Sequence, residues 1–225
     1  MPHVVEQLAE LTAYRDRDVA DTILVATLRD LLRAREVAIH RCVGENRDRR
    51  WLTRARLGLS NAVASADSLY TDLHDLPSLN AFPERLLALQ LQAPVTPAVA
   101  APDGPHLTVF PLTADREVVG VLELQTSAPL DATEHRLVGG ILRLYRNFQA
   151  LLDYSERDTL TGLLNRKTFD EAFFKLSTLP GDDADAGTRD GTAPADRRVP
   201  PAQQPHYIGV FDIDHSIRSM TTSAT

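Results

Sequence analysis

Between Val4 and Leu32 the apolar residues Val5, Leu8 and Leu11, then Val19, Ile23, Leu24, Leu28, Leu31 and Leu32, recur at three- and four-residue steps. That is the period of an amphipathic helix, so the pattern predicts two helices at the start of the chain. The rhythm then changes. Val37 to Val43 and Trp51 to Leu57 are short and rich in β-branched or aromatic residues, with Gly44, Glu45, Asn46, Arg47 and Asp48 between them, which predicts a strand, a turn and a strand. Asn61 to Gln92 reads as mostly helical. Pro94, Pro97, Pro102 and Pro105 then mark a loop, because proline lacks the N–H that a helix interior requires. Leu107 to Leu112 and Val118 to Gln125 predict a second antiparallel hairpin around Ala114, Asp115, Arg116 and Glu117. Asp131, three residues before Glu134 and just ahead of an apolar run, has the spacing of a helix N-cap with its reciprocal partner, so a helix is expected to start there.

Within that helix Leu137, Ile141, Leu144, Phe148 and Leu151 are spaced four, three, four and three, the seam of a parallel coiled coil. The spacing predicts a dimer seam. A stripe of about two heptads would also serve to hold the helix against its own domain. Val138, Leu142, Tyr145 and Leu152 form a second apolar column, so one helix could face both a partner and its own domain.

Ser177 to Pro205 is crowded with Gly, Pro, Asp, Ala and Arg and holds almost no large apolar residue, so it is expected to be a mobile insertion and the first place a protease cuts. Tyr207 to Phe211 is a compact apolar strand that delivers Asp212, Ile213 and Asp214 to its tip. The predicted fold class is α+β. Its segments are residues 1–133 as one domain, 134–157 as a linker helix, and 158–225 as a second, partial domain with its insertion at about 177–205.

Composition narrows the function. With 43% hydrophobic and 24% charged residues the chain is of ordinary globular type, and a net charge of −7 argues against a nucleic-acid partner, which needs a surplus of Lys and Arg on one face. Cys42 is the only cysteine, which rules out an intrachain disulfide and a zinc ribbon. His40, Cys42, His74 and His106 follow no metal-ligand spacing. Glu6 and Glu10 break any secretory leader, and no apolar run reaches the ~18 residues of a membrane span, so the expected location is the cytoplasm, with no membrane partner.

Asp158-Thr159-Leu160-Thr161-Gly162-Leu163-Leu164-Asn165-Arg166, followed by Phe169, resembles the DxLTGLxNRxxF signature that opens GGDEF domains. Tyr207 to Phe211 with Asp212, Ile213, Asp214 and His215 resembles the first core strand of the same family. The resemblance implies a diguanylate cyclase lineage, in which two domains each hold one GTP, face each other as a homodimer, and make cyclic di-GMP. It also implies Mg²⁺ on the triphosphate, a hard cation that takes oxygen ligands, with the Asp212 carboxylate and the Ile213 backbone carbonyl as its protein ligands. A strand-end Asp pair can instead simply cap a turn. For Asp158, Leu160, Thr161, Gly162, Leu163, Asn165 and Arg166 the expected role is structural: they fix the turn after the linker helix and transmit the signal.

The chain departs from the family after His215, where a Phe and Lys, an Asn and Asp, and later the GG(D/E)EF turn are expected. Ser216 to Thr225 is a short polar tail. Met-Thr-Thr-Ser-Ala-Thr at its end can be encoded so that a one-nucleotide shift reads Asp-Asp-His-Phe-Gly-His, close to the family's continuation, and sequencing of the gene past Thr225 tests that frame. With the later strands missing, the strand from Tyr207 would be an open edge, and the C-terminal third is expected to fold poorly.

Helix, hairpin, helical excursion, loop, hairpin and exit helix over the first 150 residues resemble a GAF domain, a small-ligand sensor often found ahead of GGDEF domains. A PAS-like sensor is the alternative topology. Two functions are therefore carried forward: a sensor-controlled diguanylate cyclase, and a non-catalytic module for ligand sensing and dimerisation. No catalytic set is complete, and no substrate-binding residue or sensor ligand is assigned.

Overall fold

A computed structural model describes residues 2–45, 48–68, 71–97, 104–114, 117–158 and 160–177. The strand from Tyr207, with Asp212 and Ile213, lies outside the described residues, as does the 177–205 insertion beyond Ser177. Two helices, α1 (Pro2–Ala13) and α2 (Arg17–Leu32), come first, and the Asp16 carboxylate caps α2 by accepting from the N–H groups of Asp18 and Val19. The strands β1 (Glu36–Val43) and β2 (Arg50–Gly58) follow, then the short helix α3 (Pro83–Leu91), the strands β3 (His106–Ala114) and β4 (Glu117–Thr126), and the helices α4 (Ala132–Glu156) and α5 (Arg166–Ser177).

The four strands form one sheet in the order β2-β1-β4-β3, antiparallel throughout. Alternation along each strand sends side chains to both faces, and both faces are covered. On one face Val37, Ile39, Ala55, Leu57, Phe110, Leu112, Leu122 and Leu124 meet Leu11 of α1, Leu24, Val25 and Leu28 of α2, and Val138, Ile141, Tyr145, Phe148 and Leu152 of α4. On the other, Trp51, Val109 and Val121 pack with Val95 and with Ala88 of α3. Burial on two sides is why β4 reads as an almost unbroken apolar run.

Irregularities in the ladders have local causes. Between Ile39 and His40 the β1–β2 register shifts, which leaves Arg54 without an opposite residue and turns its guanidinium towards Asp18 and Asp21 on α2. Gly120 sits opposite Arg41 in the β1–β4 ladder, where a Cβ would collide with the His40 carbonyl, so only glycine allows the two strands to approach this closely.

Asn61 to Gln92 departs from the helical expectation. Among the described residues of this segment only Pro83–Leu91 is α-helix, and Leu73–Asp75 and Leu79–Ala81 are single 3-10 turns. The open edge of β2 captures the preceding segment. Ser65 exchanges both backbone hydrogen bonds with Arg56, and the Asp67 N–H donates to the Thr53 carbonyl while its carboxylate accepts from the Thr53 N–H at 2.7 Å. These bonds cover an edge that would otherwise leave backbone groups unpaired.

The capping box expected at Asp131 is present: its carboxylate accepts from the N–H groups of Thr133 and Glu134, and the Glu134 carboxylate accepts from the Asp131 N–H. The helix it starts belongs to the domain core along much of its length, through Val138 to Leu152. Contacts group residues 1–178 into one compact unit.

Candidate functional site

The α3 face of the sheet holds a buried polar cluster inside an apolar shell. His40 of β1 stands beside Thr53 of β2, with its Nδ1 3.3 Å from the Thr53 hydroxyl. Glu123 projects from β4 onto the same face, and Arg85 reaches it from α3, donating from Nε to the carboxylate at 2.6 Å. The guanidinium lies 3.8 Å from the centroid of the Phe82 ring and 5.9 Å from that of Trp51, a cation–π arrangement that compensates part of its lost hydration.

His40 is 1% exposed, and burial, followed by the charges of Arg85 and Arg56, lowers its pKa to about 3. The imidazole is therefore neutral, and its 3.8 Å approach to Glu123 is not an ion pair. His40 Nε2 meets no hydrogen-bond partner among the described residues. Cys42, on the same strand, is half-buried, and burial raises its pKa, which disfavours the thiolate a nucleophile requires. No group of three or more His, Cys, Asp and Glu side chains converges to hold a metal among the described residues. What the cluster offers is recognition: an imidazole nitrogen, a hydroxyl, a carboxylate and a guanidinium, sheltered from water.

The opposite face carries a second network. Tyr145 of α4 donates its hydroxyl to Asp21 of α2 and accepts from Arg41 Nη2 of β1 at 2.8 Å. Burial raises the Asp21 pKa against the pull of Arg41, Tyr145 and Arg54, and burial with the Asp21 charge raises that of Tyr145. Arg17, at the start of α2, ties down the end of α4 by donating to Gln149 Oε1 at 2.7 Å, Asp153 at 2.9 Å and Glu156 at 2.8 Å.

The motif residues 158–166 build the turn between α4 and α5. The Asp158 carboxylate accepts from the Thr161 hydroxyl at 2.8 Å and from the N–H groups of Thr161 and Leu160, bonds that lower its pKa, the hydroxyl bond most. Gly162 takes φ +70°, a left-handed conformation that side-chain-bearing residues rarely adopt, and donates its N–H to the Asp158 carbonyl. Asn165 joins both helices. Its Nδ2 donates to the Ser155 carbonyl at 2.7 Å, and its Oδ1 accepts from the N–H and the hydroxyl of Thr168, capping α5. Leu160 and Leu163 are exposed, and Arg166 is the first residue of α5.

The structure divides the five seam positions. Ile141 and Phe148 are buried in the domain's own core, whereas Leu137, Leu144 and Leu151 form an exposed column at seven-residue spacing. Sequence reasoning did not single out Arg85, Glu123, Thr53, Arg41, Asp21 or Gln149. A signal was present for two of them: Glu123 interrupts an apolar strand, and Arg85 an apolar helix, and charges at such positions occur when they pair.

No family model matches this chain, and no curated protein matches it. Solved structures do. The chromophore-binding domain of the bacteriophytochrome RpBphP3 from R. palustris aligns with TM-score 0.51 at 11% identity, over 69% of this chain and 61% of that one. Residues 122 to 287 of a methyl-accepting chemotaxis protein align with TM-score 0.50 at 11% identity, over 67% of this chain and 98% of that one. The GAF domain of an Acinetobacter phosphoenolpyruvate-protein phosphotransferase aligns with TM-score 0.49 at 15% identity, over 70% of this chain and 96% of that one. Likeness at such identities concerns the fold alone: an antiparallel sheet flanked by helices.

Proposed function

We propose that this chain is a sensory signalling protein in which the GAF-like domain responds to a small ligand and passes its state through α4 to a GGDEF-type segment that begins at Asp158. The supporting observation is the continuity of α4. Its middle belongs to the sensor core through Ile141, Tyr145 and Phe148, and its last turn is hydrogen-bonded, through Ser155 and Glu156, to the Asn165 that caps α5. A displacement of α4 against the sheet would therefore reach the turn directly. The sensor ligand is assigned to the α3 face, where His40 Nε2 and the Arg85–Glu123 pair are sheltered.

In this reading the lineage is that of diguanylate cyclases, with GTP as substrate and Mg²⁺ held by Asp212 and the Ile213 carbonyl. Residues 1–225 contain no GG(D/E)EF sequence, so this stretch by itself is read as a non-catalytic sensing and dimerisation module. The homodimer would form through the column of Leu137, Leu144 and Leu151, which the domain's own core leaves exposed.

Two measurements test this. Incubated with GTP and Mg²⁺, the purified chain is expected to form no cyclic di-GMP; turnover that Asp212→Ala abolishes would overturn the non-catalytic reading. Sedimentation of the same chain is expected to show a dimer that Leu144→Asp dissociates, and a chain monomeric at every concentration would remove the dimerisation module.

A further inference from the structure

Beside the Tyr145 network, on the helical face of the sheet and away from the His40 cluster, lies a cleft of about 320 Å³, at the small end of the range for ligand sites. Its floor is formed by β1, β2 and the turn end of the β3–β4 hairpin, and its walls by α2 and α4. Three arginines line it, and two of them make direct ion pairs with carboxylates. Arg17 pairs with Asp153 and Glu156, and Arg54 with Asp18 and Asp21. Arg41 uses one of its five N–H donors on the Tyr145 hydroxyl and has no ion pair among the described residues.

A second donor stands at the same wall. Gln149 follows Tyr145 by one helical turn and is 6% exposed. Its amide orientation is decided by Arg17, which can only donate and so holds Oε1. The two N–H bonds of Gln149 Nε2 are thereby turned away from Arg17, and they meet no acceptor among the described residues. A buried amide donor left unmatched costs about 1–3 kcal/mol, so its presence beside a guanidinium that feels Asp21 only through space, with N–H donors to spare, calls for an acceptor at this place.

We propose that this cleft is a binding site for a small monocarboxylate with an apolar body, its oxygens held by Arg41 and Gln149 Nε2. Val43, Leu52 and Val119 supply the apolar surface for that body. Asp21 and Asp153, also in the lining, decide the charge: a carboxylate brings one negative charge past them, whereas a phosphate dianion would bring two and be repelled. The planar guanidinium and the planar amide suit a planar acceptor.

Titration of the full ¹⁵N-labelled chain with sodium benzoate, against matched sodium chloride and inorganic phosphate, tests the assignment by NMR. Benzoate is expected to shift the Gln149 side-chain amide and the Arg41 Nε–H saturably, while the indole N–H of Trp51, on the other face of the sheet, stays unmoved. Arg41→Met should weaken the response roughly tenfold, the loss of one charge-assisted hydrogen bond, with Arg41→Lys recovering part of it. Should Arg41→Met fail to fold, Gln149→Leu, which keeps the volume and removes the amide donor, is expected to lose binding in the same way. The site is overturned if benzoate produces no saturable shift, if Trp51 responds in place of Gln149, or if folded Arg41→Met binds as the wild type does. A response to phosphate equal to that of benzoate overturns the carboxylate class.

Discussion

An imidazole enclosed between two strands and approached by arginines loses the water that would stabilise its charge, and His40 shows the consequence in a pKa lowered to about 3. The unfolded chain takes up a proton at this residue near pH 6.5 and the folded chain does not, so its contribution to stability is complete above about 6.5 and is lost as the pH falls towards 3. Between pH 6.5 and 5 urea unfolding should show stability dropping by roughly 1–2 kcal/mol, at a limiting slope of ~1.4 kcal/mol per pH unit. His40→Gln should flatten that slope, and an unchanged profile would show that the acid sensitivity arises elsewhere. The Arg85–Glu123 pair behaves differently, because removing one partner strands the other. Arg85→Met is expected to cost about 3 kcal/mol by leaving Glu123 buried and unpaired, and adding Glu123→Leu should recover much of it. A double-variant loss equal to the sum of the two single losses would mean that the two side chains contribute independently.

Helix α4 carries two apolar columns, one buried and one exposed. Ile141 is 3% exposed and Leu144 37%, although they lie only three positions apart in the same apolar seam. Truncation should separate them: Ile141→Ala leaves a cavity under the sheet and is expected to cost about 3 kcal/mol, while Leu144→Ala should stay within about 0.5 kcal/mol at dilutions where the chain is monomeric. Denaturant midpoints at low concentration decide this, and similar costs for both would place Leu144 in the domain core as well. Elsewhere the open edge of β2 draws Ser65 and Asp67 alongside it, so an element that reads as helical becomes edge cover.

At the scale of the molecule, the sheet domain and the turn after α4 are joined by few but directed bonds. Asn165→Ala removes both the cap of α5 and the tie to Ser155. Lost capping of about 1–2 kcal/mol corresponds to a five- to thirty-fold fall in amide protection across α5, with Trp51 fluorescence still reporting an unchanged midpoint for the sheet domain. Hydrogen exchange measured along the chain checks both halves of that statement, and a drop in the Trp51 midpoint would show that the turn also supports the sheet. The described helices offer no segment long and apolar enough to cross a membrane.

Periodicity made legible whatever depends on neighbours along the chain: the two opening helices, both hairpins, and the Asp131 box that starts α4. The Asp158–Asn165 turn was expected from the motif's resemblance and not from periodicity, and its bonds also run mostly between residues a few positions apart. Long-range geometry was not legible. Local pattern could not say which seam residues of α4 meet the sheet, that the edge of β2 would bind Ser65 and Asp67 alongside it, or that Arg85 would find Glu123 across 38 positions. Those outcomes depend on which face each strand turns to which helix. That choice is made by the whole core at once, where burying a group and partnering it must both succeed.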